Sequence, residues 1–176
     1  MQNFIIRITQ ENDALIANQS IGCFILEETL TPAFAAAFVL KAHQAEKLVL
    51  CAGDKAAENY RQYQADGFVV DTVKEVAPQK ILKPYREKFP KAIIGAVCRN
   101  RRHEAMLVSE CEPDFVIFKF WQDGLETNRE LLAWYNELFL IQSAAQIEEK
   151  IDWRSLSADF LIVSDVVSAD FLSSEQ

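Results

Sequence analysis

Residues 92–121, AIIGAVCRNRRHEAMLVSECEPDFVIFKFW, decide the fold. Residues 92–98 are a short apolar run rich in β-branched side chains, and residues 115–120 are another. Between them Ala105, Met106, Leu107 and Val108 sit on a helical segment of about a dozen residues, long enough to cross back over a sheet. Links this short between strand, helix and strand make a βαβ unit with parallel strands.

The same alternation extends in both directions. Residues 4–8, 22–26, 47–52 and 67–70 read as strands ahead of this unit, and residues 140–144 and 160–167 as strands after it. Residues 12–18 suggest a short helix. Thr31 and Pro32 open a longer one: Thr31 can cap it, and Pro32 suits a first position that needs no amide donor. Asp54 reads as the cap of a polar helix running to Tyr63. Pro78, Pro84 and Pro90 predict two short helical pieces across residues 73–91. Residues 128–139 make a helix with Leu131, Trp134, Tyr135 and Leu138 on one face, and residues 147–156 a helical return. An aspartate precedes three of the strands, at Asp66, Asp114 and Asp159, a recurrence that marks a repeated supersecondary unit. Eight strands alternating with helices predict a small (β/α)8 TIM barrel with shortened first and last βα units, in one domain over residues 1–176. The alternative is an open doubly wound sheet, but no glycine-rich dinucleotide turn follows the first strand.

At 176 residues and 50% apolar content the chain can bury a sizeable core. A formal net charge of −8 argues against nucleic acid as a partner, since phosphate neutralisation needs a basic face. The opening MQNFIIRITQENDA has no basic start followed by a long apolar run, and no stretch approaches the ~18 apolar residues of a membrane span. The expectation is a cytoplasmic protein without a membrane partner. The four cysteines are scattered without a CxxC pair, which favours small core residues over metal or disulfide roles.

Barrel chemistry sits at the C-terminal ends of the strands, and that rule selects candidates before any family is considered. Arg99, Arg101 and Arg102 gather at a helix start, where cations oppose the helix dipole unless an anion is bound. They form either an anion clamp or a solvated basic turn. Ser143 and Ser164 are further candidates for phosphate binding, with an ordinary turn serine as the other reading. Lys55, Asp71, Lys119 and Asp165 are candidate pocket residues, and Lys119 and Asp165 could instead form a structural ion pair. Asp54 could hold Mg²⁺ through a hard oxygen ligand or simply cap its helix. His103 reads as packed or exposed. No catalytic residue is assigned.

The motifs RHEAMLVSECEPDFVIF, LLAWYNELFLIQSAA and SADFLIVSDVV, with LVLCAGDKAAENYRQYQADGFVV before them, resemble the thiamine phosphate synthase superfamily over roughly residues 20–168. The resemblance implies a (β/α)8 enzyme that joins an aminopyrimidine diphosphate to a thiazole phosphate and releases pyrophosphate. It also implies Mg²⁺ and basic residues that stabilise the leaving group. The family's metal pair falls on Asp54 and Lys55, so lysine stands where a carboxylate is expected. Its Gly-x-Ser turn falls on Gly95, Ala96 and Val97, and its Gly-Gly phosphate turn on residues 143–145. The Val-Ser near its end matches Val163 and Ser164. The expectation is a divergent member with weakened or altered activity, binding a thiamine-related phosphorylated molecule. The alternative is a non-catalytic phosphate-ligand-binding or protein-interaction module. An incomplete outer helix ring beside the first and last strands suggests a homodimer.

Overall fold

A computed structural model describes residues 3–173. Eight strands are present: β1 Asn3–Ile8, β2 Ile21–Leu26, β3 Leu48–Cys51, β4 Gly67–Asp71, β5 Ile93–Val97, β6 Phe115–Phe120, β7 Gln142–Ile147 and β8 Phe160–Ser164. They close in chain order into a parallel barrel. The helices are α1 Pro32–Gln44, α2 Ala56–Gln62, α3 Gln79–Lys88, α4 Arg102–Ser109, α5 Leu125–Leu138 and α6 Ser168–Leu172. The small TIM barrel with short first and last βα units is therefore the fold. After β1 there is a 3₁₀ turn at Ala14–Ala17, and after β8 the five-residue α6. The described chain comprises two compact units, residues 3–69 with 162–173, and residues 70–161.

In the first unit, β1 and β2 pair with Ile5 opposite Cys23 and Arg7 opposite Ile25. Phe24 meets Phe38 of α1 edge-on at 5.1 Å, so this face of β2 looks out to the helices. Strand alternation then turns Arg7, Cys23 and Ile25 to the opposite face. Helix α1 starts as expected, with the Phe34 amide donating to the Thr31 hydroxyl at 3.3 Å. Phe171 of α6 packs edge-on against Phe4 at 6.4 Å, giving β1 the apolar cover that a bare tail would lack.

In the second unit, Phe118 packs edge-on against the fully buried Tyr135 of α5 at 5.2 Å, which sets Val116, Phe118 and Phe120 facing outward. Phe115 lies on the opposite face, against Phe160 at 6.2 Å. Its ring fills the space beside Gly95, where an added Cβ would come within 2.5 Å of it. Gly95 is thus a mid-strand packing residue, within β5 rather than in a turn after it.

The three recurrent aspartates share one task. The Asp66 carboxylate accepts the Val49 amide at 2.8 Å, Asp114 that of Ile94 at 2.7 Å, and Asp159 that of Ser143 at 2.8 Å. Each acceptor ties the second residue of β3, β5 or β7 to the turn before the following strand. Helix residues complete two of these clamps: His43 reaches Asp66 at 2.9 Å and Arg86 reaches Asp114 at 2.8 Å.

Several local expectations differ from the structure. Residues 79–88 form one helix, with Pro84 inside it, rather than two pieces. The prolines at 78 and 90 bracket this helix, and Pro84 removes a single amide donor from its exposed side. Helix α4 has eight residues rather than a dozen. Residues 147–156 carry a 3₁₀ turn at Trp153–Ser155, not a helix. Lys55, not Asp54, occupies the N-cap position of α2, and no side chain caps it. On α5 Leu131, Leu132 and Tyr135 are buried, whereas Leu138 is exposed. Strand β8 stops at Ser164, and β7 begins and ends later than residues 140–144, which relocates Ser143.

Candidate functional site

The polar strand ends of the second unit converge on β5, β6 and β7. Lys119 lies opposite Gln146 in the β6–β7 register. Val97 lies opposite Ile117, and the ladder continues with the Cys98 amide donating to the Ile117 carbonyl at 3.1 Å. That continuation sets Arg99 beside Lys119. Both share the strand parity of Phe115 and Ile117, opposite to the helix-facing side chains. Arg99, Lys119 and Gln146 therefore occupy one level on three adjacent strands, with neighbouring strands about 4.8 Å apart.

Lys119 and Arg99 are half-buried. Arg99 donates through Nε to the Val73 carbonyl, and Asn100 donates to the Lys119 carbonyl at 2.7 Å. Among the described residues neither cation has a carboxylate partner. Gln146 is buried and donates to the Glu148 carboxylate. Asp71, exposed at the end of β4, accepts the Val73 amide at 2.9 Å. Half-buried cations without a counter-charge carry an electrostatic cost that an incoming anion relieves.

The other candidates are placed differently. Arg102 begins α4 and lies over the Trp134 ring at 5.0 Å, so a cation–π contact engages it. Arg101 is exposed at the N-cap position of the same helix. Ser143 is the second residue of β7, at the N-terminal end of the strand rather than the C-terminal end. Its side chain is fully buried and donates to Asn136 at 2.7 Å, away from the C-terminal strand ends where the phosphate site is expected. The turn that does follow β7 contains Glu148 and Glu149, and Glu149 accepts the Gln122 amide at 3.1 Å. This turn is acidic where the family resemblance implied glycines.

In the first unit the strand-end polar groups satisfy one another. Asp165 accepts from the Thr9 amide at 3.1 Å, the Thr9 hydroxyl at 2.6 Å and the Gln10 amide at 3.2 Å. It is a strut between the ends of β8 and β1. The Ser164 hydroxyl accepts the Val166 amide at 3.2 Å, a local turn contact. Arg7 and Glu27 form an ion pair at 3.4 Å. Gly53, at φ 102°, lets the Glu28 carboxylate come close enough to accept the Asp54 amide at 2.8 Å. Asp54 and Lys55 are exposed. Among the described residues no three His, Cys, Asp or Glu side chains gather where they could share a metal.

Sequence reasoning missed Arg7, Gln146 and Glu148. A lone arginine alternating within FIIRI signals the non-helix face, and it could have been read that way. QSAAQI has weak strand propensity, so the β7 boundary, and with it Gln146 and Glu148, carried no local signal. Burial pushes the Cys23 and Cys51 thiols up to about 12 and raises those of Cys98 and Cys111 as well, which disfavours the thiolate form.

No family model matches the chain, and no curated protein matches it. Solved structures do. The citrate synthase SbnG superposes with a TM-score of 0.67 at 14% identity, covering 99% of this chain and 94% of that one. A putative deoxyribose-phosphate aldolase from Coccidioides immitis gives 0.72 at 12% identity, covering 99% and 84%. Tryptophan synthase from M. tuberculosis, in its ligand-free form, gives 0.69 at 10% identity, covering 98% and 86%. None of these three is a thiamine phosphate synthase. At such identities the likeness is one of fold alone, the TIM barrel.

Proposed function

We propose that this barrel binds a small anionic metabolite, of the phosphorylated class, at the C-terminal ends of β5, β6 and β7. The observation that carries the reading is the pair of half-buried cations, Arg99 and Lys119, at one level and without a carboxylate partner among the described residues. Gln146 adds an amide beside them. Two charge-assisted contacts and an amide suit a phosphate or carboxylate, and the location is where barrels do their chemistry.

The finer reading is a divergent transferase like thiamine phosphate synthase. Its support is the sequence resemblance, together with cations that could stabilise a departing pyrophosphate. One feature of the structure weighs against full turnover, the acidic turn after β7. Incubation with aminopyrimidine diphosphate and thiazole phosphate, with and without Mg²⁺, separates a transferase from a non-catalytic binding module. Formation of thiamine phosphate establishes the transferase. Binding of thiamine phosphate or pyrophosphate without product leaves the binding module, and no binding of any phosphate contradicts both.

A further inference from the structure

We propose that Trp121 is a stacking platform for the ligand of the Arg99–Lys119 site, so that the ligand joins a flat ring to its anionic group through a short linker. This inference rests on the anion reading above and specifies its ligand. Trp121 follows β6 directly, two residues past Lys119, a step of about 6.6 Å along an extended chain. The Glu148 amide donates to the Phe120 carbonyl at 3.0 Å, so the β6–β7 ladder continues to this point. Alternation then gives Trp121 the same side as Lys119.

The indole is 40% exposed, a large apolar area to leave beside a row of polar strand ends. The other two tryptophans each have a guanidinium over the ring, Arg102 over Trp134 at 5.0 Å and Arg154 over Trp153 at 4.8 Å. Among the described residues Trp121 has neither a cation nor another ring against it. Lys119 and Trp121 are thus uncommitted on the same side of one strand end, the first offering charge and the second a π face. The turn that follows carries a separate shallow depression of about 360 Å³, lined by Gln122, Gly124, Leu125, Glu126 and Thr127.

The test compares methyl phosphate with phenyl phosphate by titration calorimetry on the wild-type chain, Trp121→Ala, Trp121→Phe and Arg99→Ala. The expected result is phenyl phosphate binding about tenfold more tightly than methyl phosphate to the wild type. Trp121→Ala should erase that preference while leaving methyl phosphate binding unchanged, and Trp121→Phe should keep most of it. Arg99→Ala should weaken both ligands. Equal affinities in the wild type, or a preference that survives Trp121→Ala, overturn the stacking role while leaving the anion site standing. If neither phosphate binds the wild type, the anion site fails and the stacking role with it.

Discussion

The two ends of the strands treat their polar groups in opposite ways. At the N-terminal ends, Asp66, Asp114 and Asp159 each accept a strand amide, and His43 and Arg86 pair with two of them. At the C-terminal ends of β5 and β6, Arg99 and Lys119 have no acidic partner among the described residues. A group that is fully bonded to its own chain contributes to folding and has little left to offer a ligand. A group whose charge is left unbalanced has the opposite character, and on the function proposed here stability is given up there for binding. The first unit sharpens the contrast, because its own C-terminal ends are internally bonded through Asp165, Thr9, Arg7 and Glu27. Position at the C-terminal strand ends therefore does not by itself single out a candidate residue; the proposed site adds an unmet electrostatic demand.

Substitutions at the two ends should separate stability from binding. The largest stability effect is expected for Asp159→Ala, which leaves the Ser143 amide without its acceptor. A loss of about 1–3 kcal/mol follows from an unsatisfied buried donor. It should be read as a lower midpoint in urea, with phosphate affinity of the folded protein unchanged. A change in affinity as large as the change in stability would blur the distinction between the ends.

Tyr135→Phe should have a smaller effect at neutral pH, about 1 kcal/mol for the lost hydrogen bond to Ser109. Its clearer signature is alkaline. Burial pushes the Tyr135 hydroxyl up to about 12 in the folded chain, against about 10 when unfolded. The unfolded state thus loses this proton first, so the stabilisation is complete below about pH 10 and disappears as pH rises towards 12. Stability measured across that window should fall less steeply in Tyr135→Phe than in the wild type. Parallel slopes would show that this hydroxyl does not govern alkaline unfolding.

The smallest effect is expected for Ser164→Ala. Its hydroxyl contacts the Val166 amide in a local turn, so both stability and phosphate affinity should change by less than about 0.5 kcal/mol. A tenfold loss of phosphate affinity would restore Ser164 to the binding site.

What the sequence made legible was whatever repeats or alternates. The βαβ unit around β5 and β6, the Thr31–Pro32 helix start and the recurrent aspartates all carry local patterns with a physical cause. The aspartates could be recognised as a repeat, although their amide-clamping role required the fold. Strand β7 was misplaced because Gln, Ser and Ala give no strand signal, and their burial comes from neighbours distant in sequence. That shift moved Ser143 from one end of the barrel strand to the other and brought Gln146 to the level of Lys119. The arginine cluster was visible as composition, but its division was not. Trp134, on another helix, engages Arg102, while the strand ladder brings Arg99 beside Lys119.

The most direct test of the central claim is thermal unfolding with and without inorganic pyrophosphate, for the wild type and for the Arg99→Ala, Lys119→Ala double variant. At about 100 times its Kd a ligand adds ~2.7 kcal/mol to the folded state. For a chain of this size that corresponds to roughly 5–10 °C in Tm. The account predicts such a rise for the wild type, none for the double variant, and a ligand-free double variant at least as stable as the parent. No rise in the wild type at millimolar pyrophosphate, or an equal rise in both proteins, would contradict it.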